Sequence, residues 1–112
     1  MRLLSLSACL LGVLLPVSVA LADEAPVTLE ISITDHKFVP ETLTAPAGKK
    51  LILAVTNKDT TAEEFDSDSL KREKLIPAGK TVPIAVGPLK AGSYPFAGEY
   101  HGDSAKGVLT VQ

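Results

Sequence analysis

Sulfur is what this chain has least of: one cysteine, one methionine and no tryptophan stand beside it in 112 residues. Cys9 and Met1 both fall in residues 1–22, which read as a cleaved signal peptide. Met1-Arg2 makes a positive start, an apolar run follows from Leu3 to Leu21, Ala20-Leu21-Ala22 is a small-x-small cleavage site, and Asp23-Glu24 comes next. The single domain expected over residues 23–112 is then free of thiol and thioether. That excludes a disulfide framework, cysteine-ligated zinc, iron–sulfur clusters, c-type haem attachment and cysteine nucleophiles.

Other scarcities exclude more. Three Phe and two Tyr are thin for a sugar cleft. Thirteen acidic residues outnumber eleven basic ones, and Arg2 goes with the leader; with no basic cluster, nucleic acid is not an expected partner. No second apolar stretch is long enough to span a membrane. The glycines lie in turns and do not spell a phosphate loop, and no serine sits in a recognisable nucleophile turn. Leu6-Ser7-Ala8-Cys9 matches a lipoprotein signal by letter. The apolar run continues well past Cys9, however, so soluble export is expected and lipid anchoring at Cys9 is not.

What is present reads as short strands between turns. Val27, Leu29, Ile31 and Ile33 alternate with polar residues, the period of a half-buried strand. Leu43 lies in a short extended piece, and Pro46-Ala47-Gly48 turns the chain. Leu51 to Val55 is a continuous apolar run suited to a central strand, and it ends at Asn57-Lys58-Asp59. Glu63 to Ser69 reads as an edge or a loop, and Ser67 to Lys74 as the one stretch that could make a helical turn. Thr81 to Val86 is demoted to an edge by Pro83. Ser93–Ala97 and Val108–Val111 close the pattern. Turn signals every 8–12 residues or so predict an all-β Greek-key sandwich.

The polar residues with chemical potential fall at strand ends. His36 follows the first strand in Asp35-His36-Lys37-Phe38-Val39-Pro40. Glu63-Glu64-Phe65-Asp66 follows the central strand and its turn. Glu99 and His101 follow the penultimate strand. In a sandwich, loops after alternate strands cluster at one end, where two imidazoles and several carboxylates could converge. Parity refines this: if Phe65 points inward, Glu63 shares its face, while Glu64 and Asp66 point away. Glu63 is then either a ligand or a costly burial. Glu99 and His101, two apart, share a side if their segment is extended. The bland alternatives are a histidine bonded to a loop carbonyl at 101, a plain loop residue at 36, and solvated charges at Glu64 and Glu99.

At these residues the chain resembles the cupredoxins. The entry Pro46-Ala47-Gly48 into an apolar strand ending at Asn57 is similar to theirs. So is the tail Gly92-Ser93-Tyr94-Pro95-Phe96, then His101, then Gly107-Val108-Leu109-Thr110-Val111. The resemblance implies a cupredoxin-like fold. Gly98 stands where a blue-copper protein has Cys, Ala105 near its Met, and Glu63 near a His, so the fold carries over and the blue-copper site does not.

A thiolate-free branch is more similar still: the EfeO-like cupredoxin domains of bacterial ferrous-iron uptake. The resemblance lies in Asp35-His36-Lys37-Phe38-Val39-Pro40, Glu63-Glu64-Phe65-Asp66-Ser67 and Gly98-Glu99-Tyr100-His101. It implies a periplasmic protein that binds a copper or iron ion through His36, Glu63, Glu64, Glu99 and His101. It also implies a ferroxidase-type oxidation or a transfer of Fe(II), beside an iron permease or a periplasmic iron-binding protein. Imidazole and carboxylate together suit Cu(II), Fe(II), Mn(II) or Zn(II), and the lack of sulfur counts against Cu(I). The alternatives are a metal-free sandwich that docks onto a permease or periplasmic partner, and a copper carrier without redox turnover.

Overall fold

The computed structural model describes residues 12–14 and 24–112. Most of the expected leader, Cys9 included, lies outside the described residues. Among the described residues nine strands form two sheets: β1 (Val27–Thr34), β2 (Lys37–Val39), β3 (Thr42–Ala45), β4 (Leu51–Asn57), β5 (Glu63–Ser67), β6 (Arg72–Ile76), β7 (Thr81–Val86), β8 (Gly92–Gly98) and β9 (Lys106–Val111). One sheet runs β2-β1-β4-β7 and the other β3-β9-β8-β5-β6. The all-β sandwich expected from the turn spacing is what forms.

Alternation fixes which side of each strand is buried. Ile31 and Ile33 of β1, Leu51, Leu53 and Val55 of β4, and Ile84 and Val86 of β7 face inward from the first sheet. Phe65, Phe96, Leu109 and Val111 meet them from the second. Phe38, Phe65 and Phe96 form an aromatic cluster at the centre: Phe38 meets Phe96 edge-on with ring centroids 4.9 Å apart, and Phe65 stacks on Phe96 at 5.1 Å. Such pairs add to the burial of their area. Among the described residues no helix is long and apolar enough to cross a membrane.

Two expectations are corrected. Glu63–Ser67 is an interior strand, held between β8 and β6, because Glu63, Phe65 and Ser67 all face the core. The Ser67–Lys74 stretch contains no helical turn. Asp68 to Lys71 reverses the chain, with Lys71 in the left-handed region at φ 55°, and β6 begins at Arg72. Charged residues there sit on an edge strand, where they discourage pairing with another chain; that hides the strand from a reading of apolar pattern. β7, with Pro83, is an edge strand as expected. Two pairings are parallel, β1 with β4 and β3 with β9.

Candidate functional site

Three connections meet at one end of the sandwich: the β1–β2 turn, the β4–β5 loop and the β8–β9 connection. The β1–β2 turn has only Asp35 and His36 between the paired residues Thr34 and Lys37. Both are left-handed, at φ 52° and 59°. A two-residue hairpin of this hand requires positive φ at both positions, which most residues adopt only at a cost. Asp59 offsets that cost: its Oδ1 accepts the Asp35 N–H at 2.8 Å and its Oδ2 the His36 N–H at 2.9 Å. Asp59 is itself fixed by Asn57. The buried Asn57 side chain donates to the carbonyls of Thr61 and Ile76 and accepts the Asp59 N–H at 3.0 Å. From the other side, Ser104 Oγ donates to the His36 carbonyl at 2.8 Å.

His101 ends a single 3-10 turn, Glu99–His101. Its ring stacks on that of His36, with centroids 3.6 Å apart and planes 13° from parallel. His101 Nδ1 lies 2.5 Å from Glu63 Oε2, and His36 Nδ1 lies 3.4 Å from Asp59 Oδ2. Glu63 is buried at 1% exposure, yet fully partnered. Its Oε1 accepts the N–H groups of Tyr100 at 2.9 Å and Glu64 at 3.0 Å. Burying a carboxylate is tolerable only with such partners. His36 opens onto a shallow cleft of about 420 Å³ shared with Asp35, Lys58, Asp59, Thr60 and Thr61.

Gly98 explains why Glu63 fits. Its backbone is ordinary extended chain, φ −92°, so no turn demands glycine. A Cβ there would sit 2.7 Å from Glu63 Cδ, 2.9 Å from Glu63 Oε2 and 2.7 Å from the Ala105 Cβ. The carboxyl of Glu63 fills the space that a side chain at position 98 would use.

Of the five residues singled out in the sequence, the structure brings together His36, Glu63 and His101. Glu64 and Glu99 lie elsewhere. Glu64 and Asp66 face outward on β5. Glu99 is exposed and its carboxyl is hydrogen-bonded to Asp66, which holds it above the usual range; the charges of Asp66, Glu64 and Glu73 add to the effect. The expectation that Glu99 and His101 share a side assumed extended chain. A 3-10 turn has three residues per turn, which sends residues two apart in different directions. Asp59 was missed. The signal for it was the left-handed demand of the Asp35-His36 turn, but that demand becomes visible only once the register of β1 on β2 is known.

The Asp59 carboxyl is held below its ordinary value of 3.8, chiefly by the His36 N–H, with the Asp35 N–H and the charges of the two histidines adding to it and burial opposing. A carboxyl with a depressed value in the folded protein adds stability above its unfolded value and loses it as pH falls through the folded one. Asp59→Asn is therefore expected to cost about 1–3 kcal/mol at neutral pH and to flatten the acid limb of stability below about pH 4. Urea unfolding of both proteins between pH 2.5 and 7 measures both effects; equal slopes in that limb would exclude the role.

Among the described residues, no three His, Cys, Asp or Glu side chains are arranged to hold a metal ion together. The donors are nitrogen and oxygen only, a set that suits Cu(II) or iron and cannot make a blue-copper centre. Imidazole lone pairs lie in the ring plane, so two nearly parallel rings aim theirs side by side. One ion could take both rings only if the stack opened.

A two-sheet β-sandwich with a histidine on each of two neighbouring loops defines a cupredoxin-type domain. The chain belongs to the cupredoxin-like domain family, whose model matches residues 7–111. It is 41% identical over 83 residues to Uncharacterized protein RP394 of Rickettsia prowazekii (strain Madrid E), covering 74% of this chain and 66% of that one; this chain thus spans just under two thirds of its relative. Among solved structures it is similar to auracyanin A, a "blue" copper protein of Chloroflexus aurantiacus. The TM-score is 0.68 at 17% identity, over 79% of this chain and all of that one. It is also similar to the metal-binding domain of the Cu(I)-exporting P-type ATPase CopA of Streptococcus pneumoniae. There the TM-score is 0.64 at 15% identity, over 76% and 84% of the two chains. Likeness at this level is likeness of fold.

Proposed function

We propose that this is an exported, periplasmic metal-binding protein that takes a copper or iron ion at His36 and His101 and assists the oxidation or transfer of Fe(II) during iron uptake. The observation that carries the reading is the contact of two imidazoles from separate loops, each with a carboxylate at its Nδ1. Carboxylates placed behind ligating histidines orient the rings and raise their basicity. An all-nitrogen-and-oxygen environment favours the harder Fe(III) over Fe(II), which eases oxidation. Membership of the cupredoxin-like family supports copper. The EfeO-like motif around His36, Glu63 and His101 supports iron, and with it a permease or a periplasmic iron-binding protein as partner.

A second reading has its own observation. The rings are stacked rather than splayed, and no group of three ligands converges among the described residues. A metal-free sandwich that docks onto a periplasmic partner would look the same.

Titration of the mature protein with Cu(II) and Fe(II) separates them. Binding of one equivalent is expected, and His36→Ala and His101→Ala should each weaken it by more than the roughly 10–100-fold that loss of a supporting residue costs. Equal stoichiometry and affinity in both variants would remove the site. Fe(II) oxidation in air, with and without copper, then distinguishes an oxidase from a carrier. No uptake of either ion would favour the docking domain.

A further inference from the structure

Resting on that reading, we infer that Glu63 and Asp59 are positioning residues rather than ligands: Glu63 holds His101 as its Nδ1–H tautomer through a hydrogen bond, Asp59 draws the proton of His36 to Nδ1 by its charge, and each Nε2 is left bare for the ion. A carboxylate accepts at both oxygens. Glu63 already accepts two backbone N–H groups at Oε1, so the nitrogen 2.5 Å from its Oε2 is the donor, and the proton of the neutral ring sits on Nδ1. A ring with its proton on Nδ1 has its lone pair on Nε2.

Asp59 acts on His36 by its charge alone, with no hydrogen bond to the ring. It spends both oxygens on the backbone of the Asp35-His36 turn, and Oδ2 also faces His36 Nδ1 at 3.4 Å. Neither carboxylate can turn to an ion without leaving two N–H groups unpaired, which folded proteins avoid. The interior position is closed as well, because Glu63 fills the space beside Gly98. An ion would therefore meet a ring at Nε2, and both rings only with the stack opened. His36 is the more accessible of the two, its side chain 43% exposed against 28% for His101.

The test begins without metal. In protein labelled with 15N at histidine, two-bond 1H–15N correlation spectra near pH 8 are expected to show Nδ1–H and an unprotonated Nε2 on both rings. Nε2–H tautomers in both would overturn the inference. Glu63→Gln is expected to shift His101 alone, and Asp59→Asn to shift His36 alone, because an amide NH2 can donate to Nδ1. The Asp59 side chain is 14% exposed against 1% for Glu63, so Asp59→Asn is the milder substitution, and an unmoved His36 tautomer in it would overturn the role of Asp59. Zn(II), a diamagnetic probe, is then added. A coordination shift at Nε2, with affinity about 10–100-fold lower in Asp59→Asn, is the expected result. A shift at Nδ1 would overturn the inference even though metal binds. Nδ1–H tautomers with no uptake of Zn(II) or Cu(II) would instead uphold the tautomers and overturn the metal-binding function.

Discussion

Glu63→Ala is expected to destabilise the protein by about 4 kcal/mol through the loss of a buried hydrogen-bond acceptor. The substitution leaves the N–H groups of Tyr100 and Glu64 and the Nδ1 of His101 without their acceptor. Each unpaired buried group costs about 1–3 kcal/mol, less where water reaches it. Tyr100 and His101 are partly exposed, so water can reach some of these donors, and the total stays below the sum. Glu63→Gln keeps the shape and one acceptor and should lose about half as much. Urea unfolding of the three proteins checks the ranking. A Glu63→Ala protein within about 1 kcal/mol of the parent would mean that the pair does not hold this end together.

Gly98→Ala is expected to cost about 3 kcal/mol, at the upper end of the range for adding a methyl to a closed space. The new Cβ would meet the Ala105 Cβ and the Glu63 carboxyl at 2.7 Å. Neither yields easily. Ala105 is tied to Gly98 by a backbone hydrogen bond of 2.8 Å, and Glu63 is held at both oxygens. The protein should also lose its His101–Glu63 contact, so the His101 ring signals should move while those of a distant core residue such as Leu53 stay put. A double mutant isolates the cause. In a Glu63→Ala background the same glycine substitution should cost at least about 1 kcal/mol less, because half of the obstruction is gone. Additive costs would show that Ala105 alone is responsible.

Both effects trace to a strand that was half legible. The period-2 rule placed Glu63 on the inner face with Phe65 and sent Glu64 and Asp66 outward, and the structure has this parity. The apolar pattern also located β1, β4 and the closing hairpin, because those strands bury one or both faces in Val, Ile and Leu. β6 was illegible: an exposed edge strand has no core face long enough to set a pattern, and Leu70, Lys71 and Arg72 read as helix formers. The meeting of His36 and His101 was readable as a possibility from their places at strand ends. Their stacking, the direction of each Nδ1 and the part played by Asp59 depend on pairings between residues 23 to 65 apart along the chain. No local pattern encodes those. In the sequence Gly98 stands out only through the cupredoxin resemblance, whereas its physical meaning is the room it leaves for a side chain on the neighbouring strand.

The sequence separation of these contacts also sets an order of events in folding. Glu63 finds Tyr100 and His101 37 and 38 residues downstream. Until β8 has docked on β5, the carboxyl has no substitute for water, and removing it from solvent would be steeply unfavourable. The aromatic centre can assemble while this end of β5 is still hydrated. The carboxyl is therefore sealed in late, after the rate-limiting barrier. Substitutions at Glu63 should accelerate unfolding and leave the refolding rate nearly unchanged. The residue that closes this end of the sandwich would then act chiefly on how long the folded state lasts.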